Sequence, residues 1–147
     1  MSGGVAYRRD DVVAAAAMPS TDGDIVDLLR TCKVSAKGAI RVVIEDVPWV
    51  VGSRVSPAST AKLHRNVGVI HGALHALGIR IELVRPQIWQ RFFSLGTRKA
   101  HGDKWKSCLK AEAQRRFPHL TVTYATADAL LILDWAERWR PVWRPEP

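Results

Sequence analysis

Two carboxylates stand where the chain could bring chemistry together. Glu45 closes the apolar run Val42-Val43-Ile44, which places it at the end of a strand. Asp128 opens the apolar segment Ala129-Leu130-Leu131 just after Thr126, which places it in the first turn of a helix. Carboxylates delivered from the ends of different elements can share a hard cation such as magnesium, which prefers oxygen ligands. Each acid also has a use without chemistry. Glu45 can be a solvated acid where a buried strand leaves its sheet, and Asp128 can simply meet the positive end of its helix dipole. Their acidic neighbours are poor substitutes. Asp46 faces the opposite side of the strand from Glu45, and Asp134, six positions past Asp128, points away from it on a helix.

The charge of the chain suggests what such a site would act on. The 147 residues carry a net charge of +8. Residues 80–120 alone hold ten Lys and Arg against three acids, so this segment accounts for +7 of it. A concentrated positive field attracts a polyanion and gains free energy by counterion release. The alternative is an ordinary solvated basic face. Lys99, Lys104, Lys106 and Lys110 are the candidate phosphate contacts, and Lys106 and Lys110 are four apart on one helix face. Trp49, just after Glu45, is a candidate for stacking on an unpaired base, with core packing as its other use. Trp89 and Trp135 read as core residues.

The elements that must position these groups follow from the apolar pattern. Residues 4–7 and 11–18 read as two strands joined by the turn Arg8-Arg9-Asp10, although the alanine run in the second is also compatible with a helix. Asp24 is placed to cap a short helix through Arg30. Residues 40–44 form a near-continuous apolar strand, of the kind covered on both faces, and residues 48–59 read as a loop. Leu63, Val67, Ile70, Leu74 and Leu77 repeat at helical spacing up to Gly78. Gly68, Gly72 and Ala76 lie on a second stripe of that helix, suited to close approach by a sheet or another helix. Residues 79–83 alternate as a strand, and Pro86 opens a short helix through Phe93. After a loop at 94–102, Asp103 is placed to cap a helix that runs to Phe117 and stops at Pro118. A last short strand over 120–124 leads to the final helix, capped by Thr126, with Ala127, Leu130, Leu131 and Trp135 on one face. Strands followed by alternating helices and strands predict an α/β domain with a mixed sheet flanked by helices.

Composition excludes several classes. Hydrophobic content of 47% with 24% charged residues is ordinary for a globular domain. The longest strictly apolar run, Val12 to Met18, is too short to span a membrane. No signal-peptide pattern opens the chain. Cys32 and Cys108 lack the spacing of a zinc site or a disulfide framework, which suits a reduced, cytoplasmic setting.

Taken in order, seven short motifs resemble those of the RuvC-like Holliday junction resolvases, especially the phage and plastid-type members, within the RNase H-like fold. They are Ser2-Gly3-Gly4-Val5-Ala6, Met18-Pro19, Ile44-Glu45, Asn66 to Gly72, Val84-Arg85-Pro86-Gln87-Ile88-Trp89, Lys104 to Ser107 with Phe117-Pro118, and Ala127-Asp128-Ala129-Leu130-Leu131. The resemblance implies a magnesium-dependent endodeoxyribonuclease, with manganese as an alternative ion, that cleaves branched DNA such as a four-way junction as a homodimer. It implies metal-binding and catalytic roles for Glu45 and Asp128. It also implies a first-strand Asp, which would lie three residues before Met1, and an acid or histidine at 124 or 125, where this chain has Tyr124 and Ala125. The expectation is therefore one nuclease domain over residues 1–139, lacking its first central strand, with a flexible tail at 140–147 and a natural start upstream. Two other readings stand beside it: a protein that binds branched DNA without cutting it, and an inactive truncated remnant.

Overall fold

The structure is a computed structural model, and it describes residues 3–36, 39–48 and 56–139. Met1, Ser2, Trp49, the tail at 140–147 and most of the 48–59 loop lie outside the described residues. The elements in chain order are β1 (Gly4–Arg9), β2 (Val12–Ala17), α1 (Asp22–Ser35), β3 (Val42–Glu45), α2 (Pro57–Ala76), β4 (Ile81–Val84), α3 (Pro86–Phe92), α4 (Arg98–His101), a 3₁₀ turn (Gly102–Lys104), α5 (Trp105–Arg116) and α6 (Ala127–Arg138). The chain is mixed α/β, with small sheets flanked by helices. Among the described residues these strands form two two-stranded sheets, β1–β2 and β3–β4, rather than one mixed sheet. The chain divides into two compact units, one over residues 17–86 and the other over residues 3–16 together with the segment from 87 onward.

In the first unit, α1 packs on α2 and the parallel pair β3–β4 joins them. Parallel strands need a crossover connection, and α2 supplies it. Ile25 and Leu29 of α1 meet Ala73, Leu74 and Ile79 in the buried core, with Val42, Ile44 and Ile81 packed against them. Because strand side chains alternate, this fixes Val42 and Ile44 on the core side and puts Glu45 on the other. Register pairs Glu45 with Val84, and the ladder runs one step further through Asp46 N–H to the Val84 carbonyl at 2.8 Å. Two bidentate ion pairs brace the unit: Arg41 to Glu82 at 2.8 Å on both arms, and Arg65 to Asp22 at 2.9 and 2.5 Å.

The helix boundaries differ from expectation in instructive ways. α1 is capped by Thr21, whose hydroxyl accepts from Asp24 N–H at 3.2 Å, rather than by Asp24. The same hydroxyl donates to the Asp24 carboxylate at 2.6 Å, so this acid reinforces the cap from inside the helix. α2 starts six residues before Leu63, because Ser56 caps it and Pro57 fills the first helical position, where its missing N–H is harmless. At its far end Gly78, at φ +68°, donates to His75 O while Ile79 donates to Leu74 O, both at 2.9 Å. That is a Schellman stop, and it needs the left-handed residue that glycine supplies. The Gly68, Gly72 and Ala76 stripe is exposed, and side chains added at Gly68 or Gly72 would meet nothing within 4 Å. Among the described residues, it does not pack on a sheet.

In the second unit, the β1–β2 hairpin turns at Asp10-Asp11, overlapping the end of the predicted Arg8-Arg9-Asp10 turn, with Asp10 at φ +53°. β1 packs on α6, and α6 on α5. Trp89, Phe93, Trp105, Leu109, Phe117, Leu130 and Trp135 are buried, so the core assignments of Trp89 and Trp135 hold. A short helix and a 3₁₀ turn occupy most of the predicted 94–102 loop. Asp103 lies inside that turn and does not cap α5, which has no side-chain cap. The strand expected at 120–124 is absent. Its backbone groups are satisfied by side chains instead: Gln114 accepts from Val122 N–H at 3.2 Å and donates to Leu120 O at 2.8 Å, and Thr126 Oγ1 accepts from Thr123 N–H at 3.0 Å. Thr126 does precede α6, but its hydroxyl serves this turn rather than the helix N–H groups.

Gly4 enters β1 at a close approach. A side chain there would collide with the backbone carbonyl of Ala125, and it would stand 3.1 Å from the carbonyl of Ala16. Backbone cannot yield as a flexible side chain does. Gly4→Ala is expected to destabilise the protein by about 1–3 kcal/mol, as overpacking does, while Gly23→Ala, where there is open space, costs much less. Comparison of the two melting curves checks this; equal shifts would contradict it.

Candidate nucleic-acid interface

The start of α6 and the first turns of α5 carry the polar groups of the second unit. Asp128 occupies the second residue of α6 and keeps an exposed surface. Desolvation by the surrounding chain nonetheless pushes its carboxyl above the ordinary carboxylate range, and the charge of Lys106 partly opposes that. Tyr124, four residues before Asp128, is exposed at 58%. Its hydroxyl lies 3.3 Å from Ser107 Oγ, and Lys110 Nζ sits over its ring at 4.9 Å from the centroid. Lys106, Ser107, Lys110, Tyr124 and Asp128 therefore gather on one surface.

Lys99 and Lys104 are exposed on α4 and the 3₁₀ turn. The loop that carries them is held by His101. Its Nε2 donates to Leu95 O at 2.7 Å, which leaves Nδ1 as acceptor for the Cys108 thiol at 3.4 Å. Gly96, at φ +82°, lets the loop wrap this imidazole. Both cysteines are free thiols. Burial pushes the Cys32 thiol up. Among the described residues, none of Lys99, Lys104, Lys106 and Lys110 is in a salt bridge.

Other charges of the basic segment are engaged within the fold. Arg116 lies between two buried acids, at 2.5 Å from Glu112 and 2.6 Å from Asp134. Arg115 adds a bidentate pair to Glu112, and Arg138 reaches Asp134 at 2.9 Å. Arg116 also covers the Phe93 ring at 4.5 Å. The hydrogen bonds from Arg115, with those from Arg116, hold the Glu112 carboxyl below its usual range against the opposing effect of burial. Asp134 thus points away from Asp128, as its spacing predicts, and is fixed by arginines. Sequence reading did not identify this network. Its signal was present in the Glu112/Arg116 and Asp134/Arg138 spacings of four.

Glu45 stands in the first unit, at the end of β3, half-buried. Asp128 stands in the second. His119 is exposed, with its ring edge-on to Phe117 at 6.4 Å. Carboxylates are the right kind of donor for magnesium. Among the described residues, however, no group of three or more His, Cys, Asp or Glu side chains is gathered to hold a metal ion. Also among the described residues, no helix is long and apolar enough to cross a membrane. No family model matches the chain, and no curated protein matches it.

The two perturbed acids predict opposite pH effects. Asp128 has a raised folded pKa, so its ionisation opposes folding as pH rises through that value. Asp128→Asn is expected to raise the melting temperature at neutral pH, with the gain vanishing below an ordinary aspartate pKa of about 3.9. Glu112 has a lowered folded pKa, so its contribution is present at neutral pH and is lost as pH falls through that value. Glu112→Gln is expected to lower the melting temperature at neutral pH, with the deficit shrinking in acid. Melting curves across a pH series check both signs. Arg116→Met is expected to cost about 2 kcal/mol, since it removes charged hydrogen bonds linking α5 to α6 while Arg115 and Arg138 still pair with Glu112 and Asp134; Arg115→Met, on the exposed side, should shift the denaturation midpoint far less.

Proposed function

We propose that this protein is a RuvC-like, magnesium-dependent endodeoxyribonuclease of RNase H-like fold, selective for branched DNA such as a four-way junction. The observation that carries the proposal is the state of Asp128. It falls in the Ala-Asp-Ala motif and is exposed in the first turn of α6, in contrast to the buried and arginine-bound Asp134. An exposed carboxylate is open to a cation. Magnesium would supply activation of the attacking water and stabilisation of the leaving oxygen. Glu45, in the Ile44-Glu45 motif, is the second acid of the reading.

The positive charges left open at Lys99, Lys104, Lys106 and Lys110 support contact with a phosphate backbone. Such contacts position DNA without reading its sequence. The near two-fold symmetry of a junction favours a homodimer, and the exposed stripe of α2 is a candidate for its interface.

A second reading is a protein that binds branched DNA without cutting it. The engagement of Glu112 and Asp134 by arginines favours it, because these carboxyls are not available to complete a metal site.

One gel assay on a labelled four-way junction, with and without magnesium, tests both. The expected result is symmetric, magnesium-dependent cleavage that falls at least about a hundredfold in Glu45→Gln and in Asp128→Asn, beyond the loss typical of outer-shell groups. Tight binding with no cleavage would reject the nuclease in favour of the binding protein.

A further inference from the structure

We propose that Tyr124 is a stacking platform for an unpaired nucleotide base, with Lys110 and Lys106 contacting the adjoining phosphates. The proposal rests on the nucleic-acid reading above and names the form of nucleic acid that this surface takes. An exposed tyrosine is unremarkable alone. This one is held from two sides, by Ser107 at its hydroxyl and by the Lys110 ammonium over its ring, although it contributes nothing to the buried core. More than half of its surface stays open. A ring already fixed loses little further freedom on binding. Every base offers a π-face to such a ring, and nearby lysines can follow the strand that bears it.

The surrounding charges favour a base over a bare anion. Asp128 is in the field of Lys106, and its carboxylate repels an anion placed there alone. A neutral base against Tyr124 avoids that repulsion, while the phosphates on either side reach the two lysines. Double-stranded DNA hides its base faces in the stack, so the ligand class is single-stranded or branch-point nucleotides.

The test is fluorescence anisotropy of a short labelled single strand, without magnesium, beside a strand of equal length with abasic positions. Tyr124→Ala and Tyr124→Leu are expected to weaken binding of the base-bearing strand about tenfold or more, the scale of one lost base–aromatic stack. Tyr124→Phe keeps the ring and should restore most of the affinity. On the abasic strand Tyr124→Ala and the parent protein should bind alike. Lys106→Ala should instead reduce the salt dependence by about 0.7 in slope, as loss of one single-strand phosphate contact does, whereas Tyr124→Ala leaves the slope unchanged. Equal affinity of Tyr124→Ala and the parent for the base-bearing strand, or an equal loss on both strands, would overturn the platform. Failure here is separable from failure of the nuclease reading. Tyr124-dependent strand binding without junction cleavage leaves the platform standing and removes the nuclease. Junction cleavage with strand binding indifferent to Tyr124 does the reverse.

Discussion

In the second unit, three arginines and two buried acids link α5 to α6. Arg116 leaves α5 between Glu112 of its own helix and Asp134 of α6, both buried, and lies over the ring of Phe93. Two acids buried side by side would repel each other and lose their hydration. One planar fork that bonds both turns that conflict into a joint between α5 and α6, and the guanidinium's weak hydration and flat face suit it to the aromatic contact as well. The two helices it joins are the ones that carry Lys106, Lys110 and Asp128. Their alignment therefore rests on this joint and on the apolar seam of Leu109, Ala113, Leu130 and Leu131.

That joint also divides the positive charge of residues 80–120 into two populations. Arg115 and Arg116 neutralise acids within the fold. The lysines remain on the surface or over an aromatic ring. Arginine serves the buried pairs because its fork meets a carboxylate with two bonds, and lysine serves the surface because its ammonium is a strongly hydrated point charge. Arg80, Arg85 and Arg91 stay exposed as well, so the field open to a polyanion includes them beside the lysines of α4, the 3₁₀ turn and α5.

In the first unit, position is set by backbone chemistry more than by charge. The Thr21 cap and the Ser56-Pro57 start determine where α1 and α2 begin, and the Gly78 stop determines where the chain enters β4. β4 then sets the register of β3, and strand alternation turns Glu45 away from the apolar core. A residue gained or lost between Gly78 and Ile81 would shift that register and exchange the two faces.

The sequence by itself determined the order and type of most elements, because apolar periodicity and local capping are properties of neighbouring residues. The strand ending in Glu45, the long helix stopped by Gly78, the helix opened by Pro86 and the buried face of α6 were all legible this way. What only the tertiary structure decided involves partners far apart in the chain. Gln114 satisfies the backbone at 120–122 and removes a strand that local pattern supported. Arg116 and Asp134 find each other across 18 positions, and Ala125 meets Gly4 across the length of the unit. The candidate site divides along the same line. Asp128, Lys106 and Lys110 could be named from type and spacing. The desolvation of Asp128 and the pinning of Tyr124 depend on how α5 packs against the turn before α6, and no local pattern encodes that.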